Sequence, residues 1–188
     1  MSSSTVISDV TLTLEELLKS EQRPANLFDV SLKSPADEVI QQGMRPRVNV
    51  FLYRVAENAF GKNQERQALG PDTMEYPPLW LNVFFLLTPF AEDKLDELRV
   101  LGEAMRVLHD NSSVAGAALQ GSLENTSEEL HVLLSPFSLE QVAQIWSSLD
   151  KPYRLSVCYE VRTMFIDSVI RTPVSRVVET DTRFSQNP

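Results

Sequence analysis

The sequence predicts an α+β domain: a mostly antiparallel sheet of about four main strands, with helices packed on one face. Three observations predict it. Tyr153, Leu155, Val157, Tyr159 and Val161 alternate with Arg154, Ser156, Cys158, Glu160 and Arg162, a period of two that gives a strand one buried and one wetter face. Leu79 to Leu87 is short, aromatic and β-branched, and apolar on both faces except at Asn82, the pattern of a central buried strand. Ile7, Val10, Leu14 and Leu17 recur at helical spacing and line a single face.

The chain opens with that helix, whose Ser8, Thr11, Glu15 and Lys19 lie elsewhere on its circumference. The narrow seam suits one partner surface, either the chain's own sheet or a neighbouring subunit. Arg23-Pro24 ends it, because a residue before proline avoids helical angles. A short extended piece, Leu27 to Leu32, follows, and Asp37 to Arg45 reads as a loop. Arg47 to Val55 is a strand with Val48, Val50 and Leu52 on one side and Phe51, Tyr53 and Val55 on the other. Ala56 to Pro78 lacks pattern and carries breaker signals at Gly61, Gly70-Pro71-Asp72 and Pro77-Pro78. A connection that long inside a domain is usually functional or mobile.

Thr88-Pro89 should break the central strand. The next helix begins among Glu92, Asp93, Asp96 and Glu97, acidic groups that suit a helix N-terminus. Its expected buried face is Leu95, Leu98, Leu101, Met105 and Leu108, and it ends near His109 to Asn111. Asn111 to Ser127 reads as a surface connection and Glu129 to Leu134 as a strand. Ser138 and Gln141 have capping-box spacing ahead of a helix carrying Leu139, Val142, Ile145, Trp146 and Leu149. Residues 1–167 therefore form one domain, and 168–188 a polar C-terminal tail, a candidate for ordering only on assembly. Its Val174, Val177, Val178 and Phe184 suit docking as an edge strand or on a neighbour.

Composition narrows the function. A net charge of −9 points away from nucleic acid, whose phosphates call for clustered Lys and Arg. The single cysteine, Cys158, forms no internal disulfide and fits a reducing compartment. No basic region with an apolar run opens the sequence, and the longest apolar stretch is roughly half the ~20 residues of a membrane-spanning helix. Synthesis and folding in the cytosol, without membrane insertion, are expected.

Chemistry is sparse. His109 sits at a predicted helix C-terminus, where a partly charged imidazole is favourable, and His131 lies in a strand beside Val132 and Leu133; a structural position is the commoner meaning of each. One cysteine and two distant histidines make no zinc set. Asp93, Asp96 and Glu97 read as a helix start before they read as a cation site. The scattered glycines form no phosphate loop. No catalytic residue, metal or cofactor is expected.

Five blocks in order carry a resemblance: Arg47–Val55, Pro78–Phe90, Leu101–Asp110, Leu130–Glu140 and Tyr153–Arg162. The third contains Leu-Gly-x-Ala-Met-x-x-Leu-His between two strands. Together, over roughly Val6 to Asp167, they resemble a family once known only as a domain of unknown function and now associated with the cap, or tail terminator, of extracellular contractile injection systems. The resemblance implies a tail-terminator-like fold and a non-enzymatic role: a ring, a homo-hexamer, closing the distal end of the inner tube. Its partners would be copies of itself, the inner tube protein and the last layer of sheath protein. The work would be to set length and anchor sheath, in a particle assembled in the cytoplasm and then released or membrane-anchored. Some family members carry a further C-terminal domain, whose role is not carried over.

A ring-former needs two different patches, because head-to-tail contacts are heterologous. The candidates are the seam of Ile7, Val10, Leu14 and Leu17, the Ala56–Pro78 loop, and the tail after Asp167. Aromatics and Arg favour interface cores, which singles out Arg54, Phe60, Tyr76, Arg171, Arg176 and Phe184. Two alternatives stand beside this reading: a tube–baseplate adaptor of the same kind of particle, and a small-ligand-binding α+β protein, which would need a deep pocket with converging polar groups.

Overall fold

A computed structural model describes residues 4–62, 64–68, 70 and 72–173. Helix α1 (Val6–Ser20) precedes β1 (Asp29–Ser31) and the long strand β2 (Arg47–Glu57). Two short strands, β3 (Gln67–Ala68) and β4 (Thr73–Glu75), lead into β5 (Leu79–Phe90). Helix α2 (Lys94–Asp110), β6 (Ser113–Ala115), β7 (Glu129–Ser135), α3 (Leu139–Ser148), β8 (Val157–Ile166) and β9 (Arg171–Pro173) complete the order. The α+β class is as expected, with a larger sheet: six strands in the order β1-β2-β5-β8-β7-β6, and a second, three-stranded sheet β3-β4-β9. Among the described residues every pairing is antiparallel except β1 with β2.

The faces of β5 explain the layering. Val83, Phe85 and Leu87 join Val48, Val50, Val132, Tyr159 and Val161 in the main core, which α1 and α2 cover. Leu86 and Phe90 point the other way and pack with Cys158 under Val142 and Trp146 of α3. The expectation of helices on one face thus holds for α1 and α2, while α3 lies on the opposite face. A strand apolar on both sides needs cover on both.

Several local expectations shift. β5 runs through Thr88-Pro89 to Phe90. Its ladder with β8 ends at Leu87, so Pro89 stands where only β2 flanks the strand and its missing N–H costs no central pairing. In α2 the buried face is Val100, Leu101, Ala104, Val107 and Leu108 with Glu97, while Leu95 and Leu98 are 62% and 45% exposed. The helix is therefore rotated from its expected face, and small Ala104 meets the core. The first residues of the alternating run, Tyr153 to Ser156, precede the strand, and its supposed wet face is buried at Ser156, Cys158 and Glu160. There Trp146 donates its indole N–H to the Ser156 hydroxyl (3.2 Å).

Residues 116–123 lie at the surface, as expected, but are anchored at two points. Two 3-10 turns, Gly116–Ala118 and Gly121–Leu123, drive Leu119 and Leu123 fully into the core. The turns are fastened to α1: Asp9 accepts from the Ser122 hydroxyl (2.6 Å) and N–H (3.2 Å), and the Gln120 N–H donates to Thr13 (3.0 Å). Gly121 has φ +65°, and a side chain there would run into the Asp9 carboxylate.

Candidate interaction surface

The seam of α1 faces inward. Val10, Leu14 and Leu17 are buried in the main core and Ile7 packs against it. This corrects their standing as contact residues: of the two partners open to the seam, the chain's own core takes it.

The unpatterned stretch 56–78 has a defined role. β4 runs into β5, and β9 follows β8, so the small sheet β3-β4-β9 extends the central strands past the end of the main sheet. The ladders are linked by Tyr76, whose N–H donates to the Ile170 carbonyl (3.2 Å). Within this arm Arg171 lies opposite Glu75, 3.5 Å away as an ion pair. Arg66 stacks over the Tyr76 ring at 4.4 Å and donates to its hydroxyl (2.8 Å). Arg54, on β2 below the arm, sits 5.0 Å over the Phe84 ring. Phe60 is 96% exposed at the arm's base. Four of the predicted contact residues, Arg54, Phe60, Tyr76 and Arg171, thus lie on or beside one projection. Arg176 and Phe184, with Val174, Val177 and Val178, lie outside the described residues.

A polar chain and an aromatic pair brace the base. Asn58 donates to Asn82 (2.9 Å), Asn82 donates to Glu160 (2.8 Å), and Arg162 donates to the other Glu160 oxygen (2.7 Å). Asn82, the one polar residue of its apolar run, is therefore the centre of a relay across β5. Trp80 stacks with Phe165, centroids 4.9 Å apart, and Gly61 lies so close to the Trp80 ring that any side chain would collide with it. Beside them opens a shallow cavity of about 400 Å³ bordered by Phe60, Trp80, His131, Leu133 and Arg162. The indole N–H of Trp80 is buried without a partner among the described residues.

Nucleophilic chemistry is poorly served here. The Cys158 thiol is buried and pushed up by that burial, which outweighs the opposing effect of the nearby Tyr53 hydroxyl, so it is held as a neutral packing group. His109 is exposed at the end of α2, and His131 faces the cavity with Arg162, not with a carboxylate or hydroxyl. Among the described residues no group of three or more His, Cys, Asp and Glu is placed to hold a metal ion. No described helix is long and apolar enough to cross a membrane. What the surface does offer is apolar area that sequence reasoning passed over: Val169 and Ile170, 93% and 55% exposed, and Leu134, 54% exposed. Their polar neighbourhoods or presumed burial hid them.

Comparison with known proteins gives the family and the fold. The model of a family described as the Pvc16 N-terminal domain matches residues 9–180. The chain belongs to that family. No curated protein matches it significantly in sequence. Among solved structures, the fold is similar to the sheath/tube terminator, in its extended state, of the extracellular contractile injection system PVC. That similarity has a TM-score of 0.69 at 17% identity and covers 100% of this chain and 66% of the other. The tube-terminating cap of the anti-feeding prophage is similar with a TM-score of 0.59 at 18% identity, over 94% of this chain and 61% of the cap. The chain therefore spans somewhat less than two thirds of the length of either, and these likenesses carry the fold.

Proposed function

We propose that this domain is a structural terminator: a cap that closes the distal end of the inner tube of a contractile injection system and contacts the last sheath layer. The observation that carries the reading is membership of the Pvc16 N-terminal domain family over residues 9–180, joined to a fold shared over 94% or more of the chain with two tube-terminating proteins. The work is mechanical. A terminator must present contact surfaces in fixed positions, and a doubly covered sheet with a braced three-stranded arm supplies a stiff frame for them. Neighbouring copies would form a ring, a homo-hexamer, with tube protein and sheath protein as the other partners. Assembly in the cytoplasm accords with this role, whether the particle is then released or anchored.

Deleting the gene from a producing strain tests the reading by electron microscopy. Tubes of uncontrolled length, or tubes without sheath, are expected. Particles of normal, uniform length in the deletion strain would refute the terminator role.

A further inference from the structure

Among the described residues, each edge of the six-stranded sheet is only partly covered. β1 lies along β2 at Arg47–Asn49 alone, so Val50–Glu57 has no described strand on its outer side. At the opposite edge β6 covers β7 at Glu129–His131, and the Val132 N–H donates to the Ser112 carbonyl (2.8 Å). Beyond that bond β7 continues through Leu133, Leu134 and Ser135 with no described strand beside it. Because backbone groups alternate along a strand, the N–H of Leu134 points outward as that of Val132 does.

The registers set these two open stretches at one height. Leu52 lies opposite Phe85, Phe85 opposite Tyr159, and Tyr159 opposite Leu134. One apolar row therefore runs from edge to edge on the face that α1 and α2 cover. Arg54 is connected in the same way to Leu133, through Phe84 and Glu160. Counting antiparallel steps across the sheet, β2 and β7 run in opposite directions.

We propose that β2 of one copy pairs antiparallel with β7 of the next, Leu52 beside Leu134, so that neighbouring sheets join edge to edge. The partner is a second copy of this chain because the two open edges match in height, direction and face. A slip of one residue would turn Leu134 toward the wrong face. Open edges are templates for strand addition, and Val50–Tyr53 carries neither Lys nor Pro to block it. Leu134 and Leu133, 54% and 39% exposed, would lose that exposure in the contact. The bulge between Leu52 and Arg54 bends β2 at the join and keeps the shared ladder short. A contact from β2 to β7 is heterologous, the kind that closes into rings. The inference rests on the ring reading above and adds the surface that builds it.

The test is a double variant, L52C/L134C, with each single variant and the wild type as controls. Within one chain these positions are three strand spacings apart, roughly 14 Å, beyond the reach of a disulfide. Native mass spectrometry is read first, then denaturing electrophoresis after oxidation. A multimer whose double variant gives a covalent ladder, with no ladder from either single variant, is the expected result. A multimer without the ladder overturns the edge pairing and leaves the ring intact. A monomer at every concentration overturns the ring and the pairing together. As a second measurement, L134K should lower the multimer fraction about tenfold while the monomer's unfolding midpoint stays in place. An unchanged multimer fraction in L134K counts against the pairing.

Discussion

Asp9 shows how much one residue organises. It is a buried carboxylate on α1 that accepts hydrogen bonds from Ser122 and from the Thr5 hydroxyl (2.8 Å). Burial alone would raise its pKa; the hydroxyls of Ser122 and Thr5 and the Ser122 N–H outweigh that and hold the carboxyl below its ordinary value. Asp9→Ala removes the clasp between α1 and residues 120–123, and should cost about 1–3 kcal/mol in urea unfolding at neutral pH. Gly121→Ala should be destabilising for a paired reason: positive φ and the Asp9 carboxylate both exclude a side chain. If D9A and G121A unfold at the wild-type urea concentration, the clasp is not structural. Neither residue stood out in the sequence, since a lone Asp on a helix and a Gly in a polar stretch have many commoner meanings.

At the scale of elements, α2 and α3 separate what periodicity reports from what it does not. The capping box at Ser138 and Gln141 was legible because its two hydrogen bonds, 2.9 Å and 3.4 Å, are local and need no tertiary partner. Ser138→Ala should therefore cost about 0.5–2 kcal/mol, measured by thermal unfolding. The face of α2 was not legible to the same degree. Its sequence has apolar residues around much of the circumference, and the sheet selected Val100, Ala104 and Val107 over Leu95 and Leu98. Val107→Ala should accordingly destabilise by about 1–3 kcal/mol, whereas Leu98→Ala should leave stability within about 0.5 kcal/mol. Equal effects at the two positions would contradict this orientation of α2.

Across the whole molecule, three carboxylates with lowered pKa values fasten separate parts of the chain. Besides Asp9, Glu38 is held low despite burial, by hydrogen bonds from Ser31 and Arg47, and ties the segment after β1 to β2. Glu103 is held low chiefly by Arg106, and it also accepts from the Arg23 N–H beyond α1. A carboxyl whose pKa is depressed by folding contributes stability that is complete above its unfolded value, near 4, and is lost as pH falls through the folded value. Glu128 has the opposite sign: burial raises its pKa, so its contribution is present in acid and is lost as pH rises through the folded value. With Glu140, held low at the start of α3 by the Ser138 hydroxyl, the depressed carboxyls outnumber the raised Glu128. Urea midpoints should therefore fall between pH 5 and pH 2, and D9N should flatten that fall. A midpoint that rises on acidification would show that the carboxylate contacts do not hold the elements together. Glu128→Gln should raise the midpoint at pH 7 and leave it unchanged near pH 2.

Periodicity and local chemistry in the sequence determined the α+β class, the central strand β5, the helix α1, the capping of α3 and the family resemblance. All of these depend on residues close together in the chain or on their order. Only the tertiary structure decided that α3 lies on the face opposite α1 and α2, that Leu119 and Leu123 are core, and that the α1 seam is spent inside the chain. It also turned the stretch after β2 into an arm, by bringing β4 and β9 together across nearly a hundred residues. Strand pairing over such separations leaves no periodic trace at either end. The two open sheet edges are the last example, since an edge exists only where a neighbour is missing.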